Sequence, residues 1–300
     1  DEWVHVAFTV TATGTTIYLN GQAVNTGSMA APIDWSGVSE LTIGSGGETF
    51  SYWGHTYDNS GIDELRLFSE ALSQEQIQGL INASSETLHV GFNGQYADDV
   101  ANRELTTVGS PGFAGEAKEG SDAYAGAADA YLTAPAAGLT SANFSATFWY
   151  KVSGSPDRAG ILVMGPEDTE NPDSQNLRTS GFRLFREGSA TEQRIKLNVG
   201  TGTGESWNDG GVIDVTAGEW VHVAFTISDT QSVIYLNGEA MNTGTLAAPI
   251  DWTGVDILSI MSGAPRFTGW GHLSDTSIMD DLTFYNKVLT AEEIQADMAQ

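Results

Sequence analysis

Short runs of β-branched and aromatic residues, separated by glycine, proline and asparagine, dominate the hydrophobic pattern of the chain. Residues 220–227, Trp-Val-His-Val-Ala-Phe-Thr-Ile, are largely apolar on both faces, which predicts a strand in the core of a sandwich. Residues 233–236 lead into Asn237-Gly238, the strongest short signal for a β-hairpin. Further predicted strands, each bounded by turn-forming residues, cover 144–152, 160–164, 182–185 and 194–199. The pattern predicts an all-β fold.

Two short helices interrupt this pattern, and both begin with a capping box. Ser73 is followed three residues later by Gln76, and Thr290 is followed by Glu293 at the same spacing. The apolar residues after Ser73 recur three to four positions apart, which is enough to pack one face of a helix on a sandwich.

The chain contains an internal repeat. Residues 1–83 align without a gap with residues 218–300, and 42 of the 83 aligned pairs are identical. We therefore expect residues 85–300 to be a complete unit and residues 1–84 to be the C-terminal part of a preceding unit. The missing part of that unit would lie upstream in a longer parent protein with tandem units, or another molecule would supply it.

The composition narrows the classes of partner. The formal net charge is −27, with 12 basic and 39 acidic residues and no basic cluster, which disfavours nucleic acid and anionic lipid as partners. The same surface favours divalent cations. The sequence holds no Cys, which excludes disulfides and thiolate metal sites. No run of apolar residues approaches the ~20 of a membrane span, so we expect no direct membrane insertion.

Several ordered motifs resemble the laminin-G-like branch of the concanavalin A-like lectin/glucanase superfamily. They are Val90-Gly91-Phe92-Asn93-Gly94, the Trp-x-His-Val-Ala-Phe-Thr strand, Ile-Tyr-Leu-Asn-Gly, and residues 62–68 with the helix that follows them. The complete unit departs from the last motif, reading Met279-Asp280-Asp281-Leu282. The resemblance implies a concanavalin A-like β-sandwich jelly roll.

Two further stretches, residues 157–160 and 180–188, resemble repeats in large surface-displayed proteins of Bacteroidota. This resemblance implies secretion to the cell exterior or the cell surface, and a role in adhesion or glycan capture. The partners would then be a glycan or a cell-surface protein, together with neighbouring repeats of the same parent chain.

The resemblance also implies a structural calcium ion. In related sandwiches, calcium joins an early Asn-Gly or Asp segment to a carboxylate of the last strand, and Ca²⁺ accepts 6–8 oxygen ligands in loose geometry. The alternative is that these acids are ordinary solvated residues. The candidate ligands are Asn93, Gly94 through its carbonyl, Asp98, Asp99 and Asp280, with Asp63 as the counterpart of Asp280 in the partial unit.

Sugar recognition on such folds usually needs an exposed aromatic ring beside amide or carboxylate hydrogen-bonding groups. The alternative role of a loop tryptophan in a sandwich is to cover the edge of the core without contacting a ligand. One candidate cluster follows a Gly-rich run, which predicts a loop, and consists of Trp207, Asn208 and Asp209. A second consists of Trp270, His272 and Asp275, and its repeat counterparts in the partial unit are Trp53, His55 and Asp58.

We expect no catalysis by this chain. Glucanases of the superfamily carry a Glu-x-Asp-x-(x-)Glu strand, whereas the nearest string here, residues 167–170, has another alternation in a Pro-bounded region. The predicted function is a calcium-stabilised binding module for adhesion or glycan recognition. A spacer repeat without a ligand, or an accessory module of a polysaccharide-degrading enzyme, are the alternatives. Exposure of Trp207 and Trp270 on one face would favour binding, and burial of both would favour the spacer.

Overall fold

A computed structural model describes residues 3–47, 49–50 and 52–299. The chain divides into two compact units, Asp1–Ile81 and Asn82–Gln300. We call them the partial unit and the complete unit, after the repeat alignment. The domain boundary predicted after residue 84 lies inside helix α1, Gln74–Ser85. The polar composition of residues 83–86 predicts a short linker, whereas residues 83–85 are helical and the first strand of the complete unit begins directly after them.

The partial unit contains a three-stranded antiparallel meander in the order β1-β2-β3. The turn between β2 and β3 places Asn20 at φ 48° and Gly21 at φ 75°, the left-handed conformation that an Asn-Gly hairpin turn requires. Helix α1 begins as predicted, since Gln76 N donates to Ser73 Oγ and Ser73 N donates to Gln76 Oε1. The strands are β1 (Val6–Val10), β2 (Gly14–Leu19) and β3 (Gln22–Ser28).

The complete unit is a sandwich of two antiparallel sheets, which confirms the predicted fold class. One sheet has the strand order β13-β12-β11-β10-β17-β8-β5, and the other β16-β15-β14-β9-β18-β7-β6, with β4 also paired to β18. The strands from the first part of the unit are β4 (Glu86–Val90), β5 (Thr106–Val108), β6 (Gly112–Phe113), β7 (Tyr124–Ala125), β8 (Tyr131–Pro135), β9 (Phe144–Lys151), β10 (Arg158–Met164), β11 (Phe182–Gly188), β12 (Glu192–Gly200) and β13 (Glu205–Asp214).

The last part of the unit supplies the remaining elements, and two of its strands, β17 and β18, insert between strands of the first part. Strand β9 lies between β14 and β18, and β17 lies between β10 and β8. In the pair of β4 with β18, Glu86 at the start of β4 lies opposite Tyr285 at the end of β18. These elements are a 3₁₀ turn (Val215–Ala217), β14 (Val221–Ile227), β15 (Gln231–Leu236), β16 (Glu239–Thr245), β17 (Ile257–Ile260), β18 (Ile278–Tyr285) and helix α2 (Ala291–Asp297).

A single large apolar core lies between the two sheets. Its aromatic centre consists of Phe144, Phe182 and Phe225, whose ring centroids are 5.1–5.8 Å apart. Helix α2 covers a smaller cluster on the outer face of the β14 sheet through Ile294. The capping box of α2 is present as predicted, with Thr290 Oγ1 accepting from Glu293 N and Glu293 Oε2 accepting from Thr290 N.

A fully buried ion pair also holds the complete unit together. Arg186 on β11 donates to both carboxylate oxygens of Asp275, at 3.1 and 2.9 Å, and Tyr150 on β9 donates its hydroxyl to the same carboxylate. Neither member of the ion pair is exposed. The prediction that Asp275 contacts a ligand is therefore wrong, because its carboxylate neutralises a buried guanidinium.

Removal of one member of this pair tests its contribution to stability. We expect Asp275→Ala to lower the free energy of unfolding by about 3–5 kcal/mol, because it leaves Arg186 charged and buried without a counterion. Urea unfolding of the full chain measures this loss. The exposed repeat counterpart gives a matched control, and Asp58→Ala should change the free energy by less than about 0.5 kcal/mol. Similar losses for the two variants would contradict the structural role.

Candidate ligand-binding site

Two tryptophan side chains meet on the outer face of the seven-stranded sheet. The rings of Trp207 and Trp270 stack with their centroids 5.7 Å apart and an angle of 16° between their planes. Each residue is 40% exposed. We call these two residues the tryptophan pair. The sequence predicted each residue separately as part of a ligand-binding cluster, and the structure brings the two together.

Trp207 lies on strand β13, at the edge of the sheet, and not on the predicted loop. The Gly-rich run before it is the hairpin turn between β12 and β13, so pairing resumes at Glu205. In this register Trp207 lies opposite Asn198, and its ring packs edge-on against Phe185 at 6.1 Å. Because side chains alternate along a strand, Asp209 lies on the same outer face and is exposed.

Trp270 lies on the loop between β17 and β18, and hydrogen bonds fix this loop at Trp270 and at the residues just before it. The amides of Thr268 and Gly269 donate to the carbonyl of Gln175, at 2.9 and 3.0 Å. Arg158 donates to the carbonyl of Trp270 itself, at 3.1 Å. Phe267, three positions earlier, packs in a small buried cluster with residues of β10 and β11. The tryptophan pair is therefore held in place before any ligand arrives.

Arg178 and Glu205 complete the polar surroundings of the tryptophan pair. The guanidinium carbon of Arg178 lies 4.5 Å from the ring centroid of Trp270 and 5.9 Å from that of Trp207, within cation–π range. Arg178 also donates to both carboxylate oxygens of Glu205, at 2.7 and 3.2 Å. Sequence reasoning missed both residues, because they are 27 positions apart and neither belongs to a recognisable motif.

A buried arginine supports the segment that carries Arg178. Arg183 on β11 is fully buried, donates to the carbonyls of Ser180 and Leu177, and has no carboxylate partner among the described residues. Burial lowers the pKa of Arg183 to about 9, and the nearby Arg178 adds to this effect. The cost of burying this charge is offset by hydrogen bonds that fix the turn leading into β11.

Two further residues predicted to contact a ligand are structural. Asn208 points away from Trp207, is buried, and donates to the carbonyls of Ser232 and Asn242, at 3.1 and 3.2 Å. His272 is buried against the Phe267 ring at 4.8 Å and lies 3.0 Å from a carboxylate oxygen of Glu187. Both predictions are wrong, since Asn208 joins β13 to β15 and β16, and His272 anchors the Trp270 loop to β11.

The counterpart cluster in the partial unit has a different arrangement. Trp53 is 74% exposed and contacts Phe50 edge-on at 5.8 Å, while the His55 ring stacks on Phe50 at 5.0 Å. The Asp58 carboxylate accepts from Ser60 N, and the hydrogen bonds from the side chain and then the backbone of Ser60 lower the pKa of Asp58. The repeat offset places no counterpart of Trp207 within residues 1–84, and the ring contact described for Trp53 is with Phe50.

The predicted calcium ligands do not gather at one point. The Asp98 carboxylate is buried, accepts from Arg103 Nη1 at 2.8 Å, and receives four further backbone amides. Asp99 lies 3.7 Å from His89. Asp63 belongs to the partial unit, where it is exposed. Asp98 is therefore corrected, because its carboxylate neutralises an arginine, whereas Asp99 and Asp63 stay predictions.

The two remaining side chains of the calcium set border one loop. Asp280 is buried and accepts from the amides of Lys118 and Glu119, at 2.7 and 2.9 Å, while Asn93 accepts from the amide of Ser121 on the same loop. Burial raises the pKa of Asp280 to about 6, and these amide bonds only partly oppose the rise. Gly94 follows Asn93 with φ 73°. Within the described ranges, no three His, Asp or Glu side chains form a metal-binding group.

A sequence comparison assigns the family. The Laminin_G_3 model, described as concanavalin A-like lectin/glucanases superfamily, matches residues 1–78 and 122–295. The chain belongs to this superfamily. Its membership confirms the resemblance expected from the motifs, whereas the resemblance to Bacteroidota surface proteins stays a prediction.

No match was found among curated proteins. Among the described residues, none of the helices has the length and apolar character needed to cross a membrane.

Solved structures with a similar fold share low sequence identity with the chain. Domain 4 of an extracellular arabinanase from Geobacillus stearothermophilus, in complex with arabinotriose, is 18% identical with a TM-score of 0.51, covering 72% of this chain and 98% of that domain. The receptor-binding domain of a botulinum neurotoxin C/D mosaic is 15% identical with a TM-score of 0.52, covering 72% and 51%. The chain thus spans about half the length of the toxin domain.

The buried His272 gives a testable pH dependence. Burial lowers the pKa of His272 from 6.5 to about 4, so between these values the unfolded chain binds a proton that the folded chain does not. Stability therefore falls as the pH falls from 6.5 to 4, by up to about 3 kcal/mol from this group. We expect His272→Phe to reduce this loss, measured by urea unfolding at pH 7 and pH 4.5. The same pH dependence in both proteins would contradict the assignment.

Proposed function

We propose that the complete unit is a non-catalytic glycan-binding module of a secreted or cell-surface protein. The observation that carries this proposal is the tryptophan pair, in which two half-exposed rings stack on one face of the sandwich. The apolar faces of pyranose and furanose rings pack on such aromatic surfaces, and burial of the pair would instead have favoured a spacer. The surrounding loop is anchored by hydrogen bonds, so little ordering entropy opposes binding.

Polar groups beside the tryptophan pair suit hydroxyl-rich ligands. Arg178 supplies N–H donors and Glu205 supplies carboxylate acceptors, and each neutralises the other at 2.7 Å. Lys196 is paired in the same way with Glu187 at 3.0 Å and Asp209 at 3.4 Å. The face is therefore close to neutral, although the whole chain carries a net charge of −27. A neutral face does not repel glycans that carry acidic groups.

The fold neighbours support this class of ligand without specifying it. One is described in complex with arabinotriose, and another is a botulinum neurotoxin DC binding domain in complex with SialylT, 12% identical with a TM-score of 0.51. A third is a binding domain of the same toxin in complex with rat synaptotagmin II, which is a protein. We therefore propose a glycan as the partner of the tryptophan pair, with a cell-surface protein as the alternative.

Substitution of the tryptophan pair tests the proposal. A glycan array probed with the full chain identifies the ligand, and calorimetry then measures its Kd. We expect Trp207→Ala and Trp270→Ala each to raise the Kd at least tenfold, about 1.4 kcal/mol, because each removes an aromatic surface on which a sugar ring packs. Arg178→Met should weaken binding as well, since it removes hydrogen-bond donors from the same site.

The partial unit provides a matched control for this experiment. Trp53→Ala removes the repeat counterpart of Trp270. It should leave the Kd unchanged, because the partial unit contains no counterpart of Trp207. Thermal melts of all variants confirm that the fold is intact. Binding that persists unchanged in the Trp207→Ala/Trp270→Ala double variant would overturn the proposed site, and an array without any bound glycan would favour the protein partner.

We also propose a calcium site with fewer ligands than the sequence predicts. These ligands are Asp280, Asn93 and the carbonyl of Gly94. The support for this site is that Asp280 is a buried carboxylate that accepts hydrogen bonds from backbone amides, and burial raises its pKa to about 6. A divalent cation would neutralise this charge, and carboxylate, amide and carbonyl oxygens are the ligands that Ca²⁺ prefers.

A thermal melt in calcium and in chelator tests this calcium site. We expect a Tm several degrees higher in millimolar calcium, because an ion that binds only the folded state stabilises it. Asp280→Asn should abolish the difference, whereas Asp63→Asn, at the exposed counterpart, should preserve it. Equal Tm values in calcium and chelator would show that the calcium prediction is wrong.

A further inference from the structure

An open cleft lies on the outer face of the β14 sheet, on the opposite side of the sandwich from the tryptophan pair. Strand β9 places Trp149 on this face, because the neighbouring Phe148 and Tyr150 point into the core. The cleft has a volume of about 510 Å³, which is within the range of small-molecule sites. Its lining includes Glu116, Lys118, Trp149, Lys151, Trp220 and Asn237.

Hydrogen bonds and ring contacts hold the walls of this cleft in place. The Trp149 ring packs edge-on against His222 on β14, with the ring centroids 5.1 Å apart. The backbone amide of Lys118 donates to the buried carboxylate of Asp280, at 2.7 Å. The side-chain oxygen of Asn237 accepts from the amide of His222, at 2.9 Å, and so fixes the turn between β15 and β16. A ligand would therefore meet a preformed site.

Lys118 differs from the other lysines of the chain in what surrounds its ammonium group. Lys151, Lys196 and Lys287 each lie 2.8–3.0 Å from a carboxylate oxygen. Among the described residues, no carboxylate oxygen lies within 4.0 Å of the Lys118 ammonium group, which is 4.3 Å from the ring centroid of Trp149. A ring face attracts an ammonium group less strongly than an anionic oxygen does. The Lys118 ammonium group can therefore donate hydrogen bonds to an anionic group of a ligand.

The charge inside the cleft contrasts with that of the whole chain. The chain carries a net charge of −27, whereas the lining of the cleft contains two lysines and two glutamates, Glu116 and Glu219. Lys151 neutralises Glu116 by donating to both of its carboxylate oxygens, at 3.1 and 3.0 Å. At physiological salt, exposed charges more than ~8 Å apart are largely screened, so a ligand beside Lys118 responds mainly to the cleft itself. Trp220 is half-buried in the same lining and adds an apolar surface.

We propose that this cleft is a second binding site of the complete unit, for a sugar that carries one carboxylate or sulfate group. The anionic group would accept hydrogen bonds from the Lys118 ammonium group, and the apolar face of the sugar ring would pack on Trp220. The side-chain amide of Asn237 would donate to a ring hydroxyl. The cleft shares no residue with the tryptophan pair and lies on the other sheet, so the unit would hold two ligands at once.

Two matched series of sugars test the chemistry of this site. One series is glucose, glucuronate and glucose 6-sulfate, and the other contains the corresponding galactose compounds. The full chain is titrated with each sugar in metal-free buffer, and NMR follows the indole N–H signals of its eight tryptophans, which single Trp-to-Phe substitutions assign. We expect an anionic sugar to shift the signals of Trp149 and Trp220, with a Kd at least tenfold below that of its neutral counterpart. The carboxylate and sulfate compounds distinguish the two sources of the anionic group.

Substitutions of lysine test the role of Lys118. We expect Lys118→Met to raise the Kd of the anionic sugar at least tenfold, whereas Lys118→Arg, which keeps the positive charge, should retain binding. Lys287→Met is the matched control, because it changes the net charge equally and Lys287 lies outside the cleft. It should leave the Kd unchanged. Equal losses in Lys118→Met and Lys287→Met would reflect the total charge of the chain and would overturn the proposal.

Three further results would contradict a second site. They are equal binding of neutral and anionic sugars, equal binding of acetate or inorganic sulfate and the anionic sugar, and no shift of Trp149 or Trp220 at sugar concentrations up to about 20 mM. Shifts confined to Trp207 and Trp270 would place the anionic sugar at the tryptophan pair, which would overturn the second site and support the first. The two sites are thus tested by different signals, and either proposal can fail without the other.

Discussion

The pairing of strand β9 on both of its edges is the constraint on which the sandwich depends. Its two neighbours, β14 and β18, follow it in the chain by more than 60 residues, and all three strands contribute side chains to the core. Because β9 lies in the middle of its sheet, the first and last parts of the unit cannot close separate cores. In the partial unit, which aligns with this last part, the strands that form among the described residues are those of the local meander.

Features of the fold that depend on neighbouring residues were predictable from the sequence. The Asn237-Gly238 turn and both capping boxes are local signals, and each appears in the structure. Strand β17 was not predicted, because residues 257–260 form a strand only between β10 and β8. The helical residues 83–85 were read as a linker from their polar composition, although the preceding helix continues through them.

The prediction that side chains of the candidate site are exposed was correct for Trp207 and Trp270 and wrong for most of the polar residues beside them. A Trp after a Gly-rich turn or within a loop is recognisable, and both members of the tryptophan pair were found in this way. Polar residues beside them were assumed to be exposed, whereas His272 and Asp275 point inwards to Glu187 and Arg186. Such partners are 85 and 89 positions away, so no local pattern reveals them.

The pairing of β4 with β18 has a mechanical consequence. Because Glu86 lies opposite Tyr285, the chain enters and leaves this strand pair at the same end. A force that pulls these two ends apart loads the hydrogen bonds in sequence, and each breaks before the next carries tension. The two strands would therefore separate one hydrogen bond at a time from this end, and Leu88 and Val90 would become exposed to water. A force applied in this way would detach β4 from β18 and so from the sandwich.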